Sequence, residues 1–133
     1  MKIKPRTAEH SATVLADFIL PGSANMVGTV FGGKVLEMVD KAAGVCAMRH
    51  SNKLCVTVAM DRVEFHVPIR VGSLLVAESR LARVGRTSMT VRVEVYAEDL
   101  MTGRRLRTNS CTVTMVAVDR RGKPTPVPPL AEG

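Results

Sequence analysis

Residues 24–49 read Ala-Asn-Met-Val-Gly-Thr-Val-Phe-Gly-Gly-Lys-Val-Leu-Glu-Met-Val-Asp-Lys-Ala-Ala-Gly-Val-Cys-Ala-Met-Arg. From Phe31 onward the pattern is helical. Phe31, Val35, Met38, Ala42, Val45, Cys46 and Arg49 fall on one stripe at spacings of three and four. Lys34, Glu37 and Lys41 occupy a polar face, and Glu37 to Lys41 is a favourable i,i+4 pair. Asp40 belongs to neither face. At 100° per residue it lies roughly 160° round from the centre of the stripe. Its helical neighbours are Gly33, Leu36, Ala43, Gly44 and Ala47, a small apolar edge that something bulky can approach. A helix with two sides to bury is expected to pack on its own sheet with one and on another subunit with the other.

The residues before the helix carry the chemistry. Asn25 lies in a loop, Gly32 and Gly33 open the helix, and Asp40 follows on it, all within sixteen residues. An amide donor, unpaired N–H groups at a helix start and a carboxylate are together equipped for a hydrolysis.

The rest of the chain reads as extended. Residues 11–19 suit a first strand, broken by Pro21-Gly22-Ser23. Leu54 to Phe65 is rich in Val and Thr, and Pro68 and Gly72 mark a connection. Ser73–Val84 and Thr87–Glu98 read as long strands joined by a tight hairpin at Gly85-Arg86. In the second, Met89, Val91, Val93 and Val95 alternate with Thr90, Arg92, Glu94 and Tyr96, giving one buried and one wetted face. A last strand is expected over Arg104–Val118. One strand, one helix and four strands with hairpin connections predict an α+β domain, an antiparallel five-stranded sheet round one long helix. A single domain over residues 1–133 is expected. Residues 1–10 read as a frayed polar arm, and the proline-rich residues 123–133 as an extended tail with no ladder of its own.

Composition narrows the class. The chain has 133 residues, 46% hydrophobic and 23% charged, as in a globular protein rather than a disordered one. Three Phe, one Tyr and no Trp leave the core to Val, Leu, Met and Ala. Among the eight methionines, Met26, Met38, Met60 and Met89 are candidates to shape a channel for an aliphatic ligand. The net charge of +7 favours anionic partners. Arg104, Arg105 and Arg107, and Arg120, Arg121 and Lys123, are most simply solvated strand ends. Cys46, Cys55 and Cys111 lack metal or disulfide spacing, which points to reduced thiols and a cytoplasmic protein. The sequence shows neither a signal peptide nor a run apolar enough to cross a membrane. His10, His50 and His66 lack metal-ligand spacing, so no metal site is expected. A G-x-S-x-G elbow is absent, and Cys46 on the core stripe is a poor nucleophile.

The A-N-x-x-G-x-x-F-G-G run leading into a helix that carries Asp40 resembles the hot-dog-fold acyl-CoA thioesterases, in particular their cytosolic acyl-CoA hydrolase branch. Three further segments carry the likeness: Val56-Thr57-Val58-Ala59-Met60-Asp61, Phe65 to Gly72, and Val84-Gly85-Arg86-Thr87-Ser88. Together they extend it over about residues 12–120.

The resemblance implies hydrolysis of acyl-CoA to a free acid and coenzyme A, which enters as part of the substrate with no further cofactor. It implies dimers whose sheets join edge to edge, assembled into hexamers as trimers of dimers, with Asn25 and Asp40 of one site coming from different chains. Asp40 is then the general base or nucleophile. Asn25 and the helix start at Gly32 and Gly33 polarise the thioester. Arg83, Gly85, Arg86, Thr87 and Ser88 contact the phosphates of coenzyme A; His66 could line that cleft but is read as structural. The alternative is a hot-dog protein that binds acyl-CoA without hydrolysing it. A nucleic-acid module rests on charge alone and lacks aromatic stacking groups. A dehydratase of this fold is disfavoured because no histidine lies between Phe31 and Arg49.

Overall fold

The computed structural model describes residues 3–65 and 67–131. In chain order these are strand β1 (Arg6–Thr7), a short helix α1 (Ala8–Ser11), β2 (Thr13–Phe18), a 3₁₀ turn (Pro21–Ser23), the long helix α2 (Gly32–Ser51), then β3 (Leu54–Asp61), β4 (Leu74–Val84), β5 (Ser88–Glu98), β6 (Arg105–Val118) and β7 (Leu130–Ala131). Strands β2 to β6 form one sheet in the order β2-β4-β5-β6-β3, antiparallel at every pairing. Helix α2 packs across it and contacts all five strands. This is the hot-dog arrangement expected from the sequence.

The core lies between α2 and one face of the sheet. Val35, Val39, Ala42, Ala43, Cys46 and Ala47 of the helix meet Leu75, Ala77, Met89, Val91, Val93, Val95, Val113 and Ala117, all fully buried. The β5 alternation holds as read: Met89, Val91, Val93 and Val95 point at the helix. The helix stripe is corrected in its details. Phe31 and Arg49 are exposed, whereas Val39, Ala43, Ala47 and His50 are buried. The small edge beside Asp40 is divided. Ala43 and Ala47 are covered by this chain's own sheet, a side chain on Gly44 would meet Met115, and Gly33 opens on free space. The helix ends at Asn52, which takes a left-handed φ of 56° and donates its N–H to Met48 O at 2.8 Å.

Two bulges set which side chains face α2. Thr57 pairs with Met115 and Ala59 with Thr114, so Val58 is an extra residue. Leu81 pairs with Val91 and Arg83 with Thr90, so Ala82 is another. Simple alternation from Leu75, Ala77, Ser79 and Leu81 would turn Arg83 toward the helix. The bulge delivers it to the opposite face, where it is exposed.

The chain ends are corrected. Residues 6–10 do not fray: β1 pairs in parallel with β7, and the Thr7 hydroxyl caps α1 by accepting from His10 N. The proline-rich tail carries that ladder strand, and Pro124 bridges Val118. The tail also meets the end of α2. His50 is fully buried and its Nε2 donates to Pro128 O at 2.7 Å, which leaves Nδ1 buried without a partner. Arg6 donates to His50 O at 2.7 Å. The third strand stops at Asp61, four residues short of the expected Phe65. No helix among the described residues is long and apolar enough to cross a membrane.

Burial is the main reason that the His50 imidazole is held below its ordinary pKa, with Arg6 and His10 adding repulsion, so the folded protein takes up this proton less readily than the unfolded chain. Stability should therefore fall as pH drops through the unfolded value near 6.5 and toward the lower folded one. Urea midpoints measured from pH 7.5 to 5 should fall in the wild type and flatten in His50→Gln, which keeps a donor for Pro128 O. An equal slope in both proteins would assign the acid sensitivity to other groups.

Candidate functional site

The Asn25 loop is a tight, self-bonded unit. Asn25 Oδ1 accepts from Val27 N at 3.0 Å and Thr29 N at 3.2 Å, and Nδ2 donates to Thr29 Oγ1 at 2.9 Å. Its backbone N donates to Thr29 O, and Gly28 N returns a bond to Asn25 O. Gly28 takes a φ of 80°, which closes the turn at little steric cost. The loop is pinned from outside by Val30 N to Ile69 O and Phe31 N to Ser23 O. Thus Asn25 does build an Asx-type turn. An amide nitrogen carries two hydrogens, and the turn uses one.

The loop delivers the chain to the start of α2. Phe31 provides no side-chain cap, and the N–H groups of Gly32 and Gly33 have no acceptor among the described residues. The ring of Phe65 lies against Gly32, where a Cβ would sit 3.2 Å from it. Gly33 faces open space. A cavity of about 340 Å³ opens at this point, lined by Asn25, Thr29, Gly32, Val35, Phe65 and Pro68 among others. The structure therefore brings Asn25 to the helix start, as the sequence suggested. A larger cavity of about 490 Å³ lies beside β2 and β4, but Glu78, Arg80, Arg92 and Glu94 line it with compensating charges, and it holds none of the candidate residues.

Asp40 stands elsewhere. It does not line the Asn25 cavity. Seven residues of helix separate it from Gly33, about 10 Å at 1.5 Å per residue. In the single chain its carboxylate is exposed rather than shielded. It is nonetheless held: Thr57 Oγ1 donates to Asp40 Oδ1 at 2.5 Å, and the same hydroxyl lies 3.3 Å from Met115 Sδ. Thr57 reaches it from the helix-facing side of β3, just before the bulge at Val58. Thr57 belongs to the Val56–Asp61 segment, where the sequence alone assigns it no role. The signal was weak, since a threonine in a strand is ordinary until its partner across the fold is known.

The hairpin candidates form a third unit. Gly85 N donates to Ser88 O at 2.8 Å, and a Cβ on Gly85 would fall 2.7 Å from Ser88 Oγ. Arg83, Gly85 and Arg86 are exposed. The register places Met89, Met115 and Thr57 in one row across β5, β6 and β3, so the hairpin and the Asp40–Thr57 pair lie toward the same end of the sheet.

Of the candidate channel methionines, Met38 and Met89 are core residues, while Met26 is fully exposed at the tip of the Asn25 turn. Burial pushes the thiols of Cys46, Cys55 and Cys111 up, which leaves none poised as a thiolate. His66 lies outside the described residues.

Known proteins share this fold. The thioesterase superfamily profile matches residues 27–104. An uncharacterized acyl-CoA thioester hydrolase, YkhA of Bacillus subtilis, is 39% identical over 92% of this chain and 72% of its own length. The crystal structure of an apo-hexameric acyl-CoA thioesterase superposes with a TM-score of 0.93 at 42% identity, covering 98% of this chain and 84% of that one. An acyl-CoA hydrolase of Staphylococcus aureus, solved with butyryl coenzyme A and coenzyme A, superposes with a TM-score of 0.89 at 28% identity, covering 95% and 77%. That enzyme has also been solved with alanine in place of an asparagine, an aspartate and a threonine. The three are spaced by fifteen and seventeen positions, the spacing of Asn25, Asp40 and Thr57.

If the Asn25 side chain organises its loop, Asn25→Ala should speed amide exchange at Val27 and Thr29 by about tenfold, the loss of roughly one hydrogen bond each. Asn25→Asp retains both acceptors and should leave those two amides protected. Equal exchange in Asn25→Ala and wild type would show that backbone bonds alone hold the turn.

Proposed function

The chain belongs to the thioesterase superfamily, and we propose that it hydrolyses acyl-CoA thioesters to a free carboxylic acid and coenzyme A, with Asp40, Asn25 and the start of α2 as its working parts. The observation that carries the assignment of residues is the Thr57–Asp40 hydrogen bond. An exposed helical carboxylate normally sweeps several rotamers. Here a hydroxyl fixes one oxygen and leaves the other free to act.

In this reading Asp40 is the general base that takes a proton from the attacking water, or the nucleophile itself. The carbonyl oxygen gains negative charge as the tetrahedral intermediate forms. Asn25 Nδ2 has a hydrogen to spare, and the N–H groups of Gly32 and Gly33 sit at the positive end of the helix dipole. These donors are held before substrate arrives, so they need no reorganisation. Collapse of the intermediate breaks the carbon–sulfur bond, and the thiolate of coenzyme A leaves and takes a proton; where Asp40 itself attacks, the mixed anhydride so formed is then cleaved by water, which releases the acid and restores the carboxylate.

Asn25 and Asp40 occupy different places on one chain, which fits a site shared between two. The free edge of β3 supports such a pairing. It is a border strand of the sheet and exposes Leu54, Val56 and Val58, a costly surface for a lone domain. A second copy adding its own β3 there would cover it and bring a partner toward Asp40. We assign the chain to homodimers of this kind, gathered into hexamers. Arg83, Gly85, Arg86, Thr87 and Ser88 take the phosphates of coenzyme A, consistent with the net charge of +7. The reading calls for no cofactor beyond the coenzyme A of the substrate. It places the chain in the cytoplasm, where three free thiols stay reduced.

Thiol release from acyl-CoAs tests this reading. Asp40→Asn should lower kcat by about 10²–10⁴, the range for a lost acid–base group. Asn25→Ala should lower it by about 10²–10³, the usual loss for one oxyanion donor. Thr57→Val, isosteric but without the hydroxyl, should lower it by about tenfold. Undiminished turnover by folded Asp40→Asn would remove Asp40 from the reaction, and tight acyl-CoA binding without wild-type turnover would make the protein a ligand-binding member of the fold.

A further inference from the structure

The proline-rich tail has an unusual hydrogen-bond pattern. Residues 124–129 are Pro-Thr-Pro-Val-Pro-Pro. Prolines lack an N–H, so only Thr125 and Val127 can donate from the backbone. Both do. Thr125 N donates to Ala117 O at 2.9 Å, and Val127 N donates to Arg86 O at 2.9 Å. Ala117 N in turn donates to Thr87 O at 3.1 Å. The tail thus holds the carbonyl of Arg86 directly and that of Thr87 through a single intervening residue.

The other side of the tail is tied down as well. Lys53 Nζ donates to Pro126 O at 2.5 Å and to Thr125 Oγ1 at 3.3 Å. His50 Nε2 donates to Pro128 O, and Arg6 N donates to Pro129 O at 3.0 Å. The segment is a stiff strap stretched from the end of α2 to the β4–β5 hairpin. Its prolines have little freedom to lose when it lies down. A hairpin tip of exposed Gly85 and Arg86 would otherwise be among the more mobile parts of the fold.

We infer that the strap is a positioning device for coenzyme recognition: Lys53 and Val127, acting through the tail, hold the Arg86 hairpin in the one shape that receives the ligand's phosphates. This rests on the reading of the hairpin as the phosphate contact. Neither residue touches the reacting carbonyl, so the strap should affect substrate affinity and leave the chemical step alone.

The test compares two substrates on the same protein, an acyl-CoA and the matching acyl-pantetheine, which bears the thioester without the phosphates. Lys53→Met should raise KM for the acyl-CoA by about fivefold, at unchanged kcat, for the loss of a charged hydrogen bond partly relayed to the site. It should leave KM for the acyl-pantetheine where it was. Lys53→Arg, which can still reach the Pro126 carbonyl, should restore the wild-type value. Val127→Pro removes the donor to Arg86 and should act like Lys53→Met; if it fails to fold, Lys53→Met decides alone. Unchanged KM for both substrates in Lys53→Met would overturn the proposal. So would a rise shared equally by both substrates, or a fall in kcat, since each marks a general structural effect. Arg86→Ala is the control. If it leaves KM for the acyl-CoA unaltered in an active enzyme, the hairpin is not the phosphate contact, and the strap proposal falls with it.

Discussion

The structure depends on helix α2 burying one long side against a sheet of five strands. Val35, Val39, Ala42, Cys46 and Ala47 supply that side, and no Trp and few other aromatics are present to fill gaps. The fit is made by many β-branched and small side chains, so the helix can lie close to the strands. At about 25 cal/mol per Å² of apolar surface, such burial is the chief stabilising term for a chain of this size. It also fixes the rotation of the helix. Once Val39 and Ala43 are inward, Asp40 has to stand at the margin, within reach of β3 but not beneath it.

Much of this was readable in advance because the signals were periodic. The alternation in residues 87–98 and the spacing of three and four in residues 31–49 each report a face, and burial of apolar faces leaves few architectures open. The boundaries of β4, β5 and β6 came within one residue because Gly and turn residues flank them. The helix stripe was less well placed. Phe31 and Arg49 fit the period but lie at the ends, where the sheet no longer covers them; Val39 was assigned to no face, and Ala43, read as part of an edge open to a neighbour, is buried in the chain's own core. The chain ends were misread for a different reason. A polar arm and a proline-rich tail each lack a pattern of their own, and their order comes from meeting each other and the end of α2.

The site was legible as a set of residue types and opaque as geometry. Asn25, Gly32, Gly33 and Asp40 are close in sequence, yet one helix separates the amide from the carboxylate. Asn25 spends most of its side chain on its own turn and keeps one amide hydrogen to spare, so building the turn is compatible with the donor role proposed for it. Thr57 was missed because its significance lies in a contact across the fold, seventeen positions from Asp40. No local pattern announces such a pair.

The bulge at Ala82 has a wider consequence. Strand side chains obey a parity, and one supernumerary residue reverses it for everything downstream until the turn. Were Ala82 paired into the ladder like its neighbours, with no bulge, Arg83 would be asked to enter a lining of valines and methionines. Deleting Ala82 would instead leave Arg83 next to Leu81 and outward, as it is now. The strand can therefore shed that residue more safely than it can straighten around it.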